Sequence, residues 1–167
     1  LFTVEKQHYL KQETNTRGKL MKKILVLLST YNGEKFLKDQ IDSIFQNSNY
    51  DISILIRDDG STDETINIIN NINDKRISYY IGNNLGAAMS FIDLIFKAPD
   101  ADFYAYCDQD DIWKKEKFDH AIKKLEQVNG FGLYMSTYDV VDENLKLIKK
   151  ANMKFDYPYT LGRTIVH

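Results

Sequence analysis

Apolar residues recur along this chain in short runs, alternating with stretches where they return every three or four positions. That alternation of strand and helix signals builds a parallel sheet covered on both faces. Residues 23–29 (Lys-Ile-Leu-Val-Leu-Leu-Ser) form a near-continuous apolar run, as a strand buried on both faces requires. Residues 34–46 follow with Leu37, Ile41, Ile44 and Phe45 on one helical stripe. A second strand is predicted at 52–56, ending at Arg57-Asp58-Asp59-Gly60. Ser61-Thr62-Asp63-Glu64 then has capping-box spacing before a helix carrying Ile66, Ile69 and Ile72.

The pattern continues with a short strand at 77–81, turn chemistry at Gly82-Asn83-Asn84, and residues 87–97, apolar nearly all round. This last segment is predicted to be the most buried helix, stopped by Pro99. A strand at 102–107 leads into Asp108-Gln109-Asp110-Asp111. A helix then carries Phe118, Ala121, Ile122, Leu125 and Val128 on one face. Residues 130–137 read as another strand, and 138–148 as a strand pair turning at Glu143-Asn144. The fold class is therefore α/β: an open, mostly parallel sheet with helices on both faces.

Composition narrows the function classes. The chain has 167 residues, 43% hydrophobic, with a net charge of −2, an ordinary globular balance without the basic footprint of a nucleic-acid binder. A single cysteine, Cys107, excludes an intramolecular disulfide framework and fits a reducing, cytoplasmic compartment. No apolar stretch reaches the length of a membrane span. Residues 1–20 are polar and without period, and Met21-Lys22-Lys23 reads as a genuine start. Residues 1–20 are thus expected to be a leader or a mis-set start, and 21–167 the folded part.

Strand C-termini share one edge of a parallel sheet, and ligands bind there. Three loops at that edge carry unusual polar groups: Ser29-Thr30-Tyr31-Asn32-Gly33-Glu34, Asp58-Asp59-Gly60-Ser61 and Asp108-Gln109-Asp110-Asp111. Each alone has a plain reading, since Asn-Gly makes turns and Ser, Asp and Glu cap helices. Clustered carboxylates repel unless a cation offsets them, and Mg²⁺ or Mn²⁺ commonly links one or two carboxylates to substrate phosphates. A carboxylate at Asp59 can accept the imide N–H of uracil or thymine, with the Ser29-Thr30-Tyr31 edge offering hydroxyls and an aromatic face for the base. Asp108 can reach ribose hydroxyls, and Asp110 can hold a metal against a diphosphate. No Gly-rich phosphate loop is present to meet phosphate charge instead.

These residues resemble the family 2 glycosyltransferases, which have the GT-A fold and transfer sugars from nucleotide diphosphates. The matching elements are residues 26–33 (Val-Leu-Leu-Ser-Thr-Tyr-Asn-Gly), 56–63 (Ile-Arg-Asp-Asp-Gly-Ser-Thr-Asp), Asn84-Leu85-Gly86 and 106–113 (Tyr-Cys-Asp-Gln-Asp-Asp-Ile-Trp), in the family's order over about residues 22–128. The variants are most similar to bacterial rhamnosyltransferase-type members acting in surface polysaccharide assembly. The resemblance implies a dTDP- or UDP-sugar donor contacted by Ser29, Thr30, Tyr31, Asn32, Glu34, Asp58, Asp59, Asn84, Asp108 and Gln109. It implies Mn²⁺ or Mg²⁺ on Asp110 and Asp108, the outer positions of an Asp-x-Asp motif. Asp58 is expected to support its loop, and Asp111 with Trp113 to start and pack the next helix. Lys115 stands where many relatives carry a helix-starting proline.

An inverting transfer also needs a base on the acceptor side, and the family places it downstream of Asp-x-Asp. Asp139, Asp142 and Glu143 read as turn and strand-edge residues, so the base is expected beyond His167 and the chain reads as an incomplete donor-binding part. The implied acceptor is a saccharide or a lipid-linked sugar, with peripheral association at the inner membrane face. Two alternatives stand beside this reading. One is a catalytically incomplete nucleotide-sugar-binding module. The other is a different Mg²⁺-dependent phosphotransfer domain, which wants a lysine on a late strand that the sequence does not convincingly supply after residue 130.

Overall fold

The computed structural model describes residues 21–46 and 49–150. Ten elements follow in order: β1 (Lys23–Thr30), α1 (Leu37–Phe45), β2 (Asp51–Asp58), α2 (Thr65–Ile72), β3 (Ile77–Ile81), α3 (Ala87–Lys97), β4 (Phe103–Cys107), α4 (Lys117–Leu125), β5 (Asp139–Val141) and β6 (Leu147–Lys150). The first four strands form one parallel sheet in the order β3-β2-β1-β4. The central β1 is buried from Ile24 to Thr30, which explains its continuous apolar run. The chain divides into two compact units, one ending at Phe118 and one beginning at Asp119. The expected leader, residues 1–20, lies outside the described residues.

Side chains alternate across a strand, so β1 and β2 each serve two layers. Leu25, Leu27 and Leu55 meet Leu94 of α3, with Tyr80, Phe91, Ala98 and Ala101 around them. On the same face, one step further along, come Ser29 and Arg57, which are partners in the register. Leu37, Ile41 and Ile44 bury the apolar stripe of α1. Burying that stripe is worth roughly 1.5–3 kcal/mol per side chain before the entropy of ordering is subtracted.

Three expectations are corrected. First, α3 buries only Ser90 and Leu94, while Met89, Ile92, Ile95 and Phe96 are exposed. The more deeply buried helix is α1, because a helix laid on one sheet face buries one stripe whatever its other faces carry. Second, the capping box at 61–64 does not form: α2 starts at Thr65, whose N–H is accepted by Asp63 Oδ1 at 3.0 Å. Ser61 is committed elsewhere, its hydroxyl donating to Asp58 and accepting the Asn32 N–H at 2.8 Å. Third, residues 130–137 form no strand; Phe131, Leu133 and Met135 are exposed, and no strand among the described residues pairs with them. The expected strand pair does form, as antiparallel β5 and β6. Asp142 Oδ1 accepts the Asn144 and Lys146 N–H groups at 2.9 Å each, so this acid serves the turn.

Candidate functional site

The parallel register brings Thr30, Asp58, Ile81 and Cys107 to one edge of the sheet, so the loops that follow them share that edge. Backbone bonds continue the ladder outward: Asp59 N–H donates to the Thr30 carbonyl and Gly82 N–H to the Asp58 carbonyl, both at 2.8 Å. The expected site residues therefore arise from adjacent strand ends. Their side chains, however, do different jobs.

Several of them brace the edge. Asn32, at φ 49°, accepts the Thr62 N–H on its Oδ1 at 2.8 Å, and asparagine tolerates that left-handed conformation well. Glu34 accepts the Glu64 N–H at 3.0 Å and donates its own N–H to Asp63 at 3.1 Å. Asp58, fully buried, accepts the N–H groups of Gly60 (3.1 Å) and Ser61 (2.9 Å). Its predicted loop-supporting role is what the geometry shows. Gln109 pairs with the Tyr31 backbone in both directions, accepting N–H at 2.8 Å and donating to the carbonyl at 3.1 Å. It also accepts the Thr30 hydroxyl at 2.7 Å. Ser29 donates to Ser90 at 2.6 Å. Tyr31 keeps its ring half exposed at the edge.

Asp59 is only 3% exposed, and its carboxylate is already engaged. Oδ1 accepts the Leu85 N–H at 2.8 Å and a bond from Arg57 Nη1; Oδ2 accepts the Gly86 N–H at 2.8 Å. Burial alone would raise its pKa, but the Leu85 amide, Arg57 and the Gly86 amide outweigh it and hold the carboxyl below its ordinary value. One lone-pair direction on Oδ2 remains. Asn84, the neighbour of these two amides, is exposed and contributes chain geometry here.

The acidic loop is different in kind. Asp108, Asp110 and Asp111 are all exposed, and no donor among the described residues reaches the Asp108 or Asp110 carboxylate. Asp108 is pushed above its ordinary value by partial desolvation, then by Asp111 and Asp110. Asp111 is raised by desolvation and by Asp110, with Lys117 offsetting it in part. This is a cluster short of positive charge. No three His, Cys, Asp or Glu side chains among the described residues converge as a closed metal cage. An ion held by one or two carboxylates and completed by substrate oxygens needs no such cage, so the donor chemistry fits a hard divalent cation. Trp113 anchors the far end of the loop: it is buried, its N–H donates to Ser43 Oγ at 3.0 Å, and its ring meets Phe118 edge-on at 5.4 Å. Asp111 itself stands before the helix, which begins only at Lys117.

The sequence reading missed Arg57 with its α3 partners Ser90 and Asp93, and Gln40, whose Nε2 donates to Cys107 Sγ at 2.8 Å at the end of β4. The signal was present in part: Ser90 and Asp93, three residues apart, interrupt an otherwise apolar helix. Lys149 and Lys150 lie on the late strand β6, which pairs antiparallel with β5 and is not a strand of the parallel sheet. No helix among the described residues is long and apolar enough to cross a membrane.

Comparison with known proteins agrees with this architecture. Residues 25–164 match the model of Glycosyl transferase family 2. The chain is 35% identical over 144 residues to a dTDP-rhamnosyl transferase, RfbG, of Shigella flexneri, covering 78% of this chain and 48% of that protein. It is 29% identical over 118 residues to the Escherichia coli glucosyltransferase WfaP, named for UDP-Glc and a diphosphoundecaprenol-linked sugar, covering 71% and 47%. The chain thus spans about half the length of these relatives. Staphylococcus aureus TarS (residues 1–349) in complex with UDP-GlcNAc superposes with a TM-score of 0.57 at 23% identity, over 74% of this chain and 41% of that one. A likeness at that identity speaks to the fold alone, and the fold is the GT-A type. The chain belongs to glycosyl transferase family 2.

Proposed function

We propose that this chain forms the donor-binding part of a glycosyltransferase that uses a dTDP- or UDP-sugar. The transfer is metal-assisted and inverting, to a saccharide or lipid-linked acceptor in bacterial surface polysaccharide synthesis. The observation that carries the reading is the edge itself: one anionic acceptor held ready at Asp59 and, one loop away, exposed carboxylates whose mutual repulsion and desolvation outweigh the partial offset from Lys117. Each half suits one end of a pyrimidine nucleoside diphosphate. The names of the Shigella and E. coli relatives, a dTDP-rhamnosyl and a UDP-Glc-dependent transferase, support the donor class, and that of the E. coli relative supports a lipid-linked acceptor.

In this reading Oδ2 of Asp59 accepts the imide N–H of the base, and the exposed Tyr31 ring covers its face. Asp108 accepts from the ribose hydroxyls. Asp110, with Asp108, holds Mn²⁺ or Mg²⁺, which when bound stabilises negative charge on the departing diphosphate. Gln109 and Thr30 keep the acidic loop against the Tyr31 backbone, and Asn32, Glu34 and Asp58 keep the base loop in register. The protein works at the cytoplasmic face of the membrane as a peripheral enzyme.

Calorimetric titration of the full chain with UDP, dTDP, GDP and ADP, each with and without Mn²⁺, tests this reading. Metal-dependent binding selective for UDP or dTDP is the expected result. Equal affinity for purine and pyrimidine nucleotides, or binding indifferent to Mn²⁺, would sink it.

A further inference from the structure

We infer that Arg57 is a positioning residue that sets nucleobase selectivity, fixing Asp59 as an acceptor-only group so that the site admits uracil or thymine and rejects cytosine. The inference rests on the proposed role of Asp59 as the base acceptor. Arg57 is among the most buried side chains, 1% exposed, although it follows the apolar run of β2. Its guanidinium is spent on four partners. Nε donates to Asp93 at 2.9 Å, Nη1 to Asp59 and to Ser90 at 3.1 Å, and Nη2 to the Asn83 carbonyl at 3.0 Å. One side chain therefore ties β2, α3 and the loop that delivers the Leu85 and Gly86 amides to Asp59. The loop is shaped to it: a Cβ at Gly82 would sit 2.5 Å from Arg57 Nη2.

Orientation follows from this bonding. Oδ1 of Asp59 takes two bonds and Oδ2 one, so a single acceptor direction, on Oδ2, is left unused by the protein. Charge follows too, because Arg57 is always cationic and its neighbour stays anionic. Uracil and thymine present an N3–H to such an acceptor, whereas cytosine presents a lone pair at N3. The other titratable groups around Arg57 are Asp93 on α3 and Tyr80 on β3. Lys97, Tyr80 and Arg57 hold Asp93 at about 2, and burial with Asp93 raises Tyr80, so neither titrates near neutrality.

The test is the ratio of UDP to CDP affinity in Mn²⁺, from pH 5 to 8, for the full chain and its Arg57→Lys and Arg57→Gln variants. Both nucleotides carry the same diphosphate, so effects of pH on metal or phosphate cancel in the ratio. The wild-type ratio is expected to favour UDP throughout, and the fall that cytosine's own N3 protonation brings near pH 5 is the baseline for the variants. In Arg57→Gln, burial is opposed by two amides alone and Asp59 takes up a proton as the pH falls. A protonated Asp59 donates to cytosine N3, and the ratio should drop about tenfold towards pH 5, the scale of one charge-assisted hydrogen bond. Arg57→Lys keeps the charge without the planar fork and should fall between the two; it carries the test alone if Arg57→Gln does not fold. A wild-type pH profile of the ratio in the folded variants overturns the inference while leaving the donor reading intact. A wild type that binds neither nucleotide overturns the donor reading first.

Discussion

The ends of β2 and β4 both lead into clustered acids, yet they are opposite electrostatic objects. At the β2 end, Asp58 and Asp59 are buried and met by several donors each, with one Oδ2 direction of Asp59 left, and Asp59 is held below its ordinary pKa. At the β4 end, Asp108, Asp110 and Asp111 are exposed, mutually repelling and, in Asp108 and Asp111, raised above theirs. The same residue type is finished in one place and unfinished in the other. A finished acid is aimed and held by the protein; an unfinished one needs a cation from outside. Acid clusters in a sequence are thus informative only once the donors around them are counted.

Breaking the finished end should cost most. Arg57→Ala takes the cation from two carboxylates, one of them buried, and should lower unfolding free energy by about 3 kcal/mol in urea titration, the usual cost of breaking a buried ion pair. Asp110→Ala, on an exposed side chain, should stay within about 0.5 kcal/mol of wild type. Equal losses would erase the distinction between the two ends. Next in size is Gly82→Ala, whose methyl group meets the guanidinium; we expect about 1–3 kcal/mol of overpacking cost by thermal unfolding. A neutral result would mean that Arg57 moves freely, which its four partners contradict.

The smallest expected effect sharpens the contrast through pH. Asp59 has a lowered folded-state pKa, so its stabilisation is present above the unfolded value and is lost as pH falls through the folded one. Asp108 and Asp111 have raised folded-state values, so the sign reverses. They penalise the fold at neutral pH, and that penalty is relieved as pH falls from their folded values towards the unfolded value of about 4. Asp110→Asn removes a repelling neighbour of both and should flatten this acid-side relief. Denaturant unfolding at stepped pH reads it directly, and an unchanged profile would show that the three acids do not sense one another.

Much of this molecule was legible in the sequence, for identifiable reasons. β1 announced itself because a strand buried on both faces has no polar positions before its end, and the convergence of three loops follows from parallel strands alone. What the pattern hid was allegiance. Ser61 has the spacing of a helix cap but is claimed by Asp58 and Asn32, a competition that spacing does not reveal. Gln109 and Glu34 sit among candidate ligand contacts, yet their side chains hold backbone. Arg57 reads as an ordinary charged strand end, because its partners on α3 lie 33 and 36 residues away. The apolar circumference of α3 likewise says nothing about how many sides the fold covers.

The most direct test of the donor site is NMR of the isotopically labelled chain with UDP and a trace of Mn²⁺, whose unpaired electrons erase nearby amide signals. Loss should centre on residues 108–111 and reach Tyr31 and Gly60, while Lys23, Asp51 and Phe103 at the opposite strand ends keep full intensity. Nucleotide-dependent loss centred on Lys23, Asp51 and Phe103 would place the metal at the wrong edge of the sheet and contradict the account.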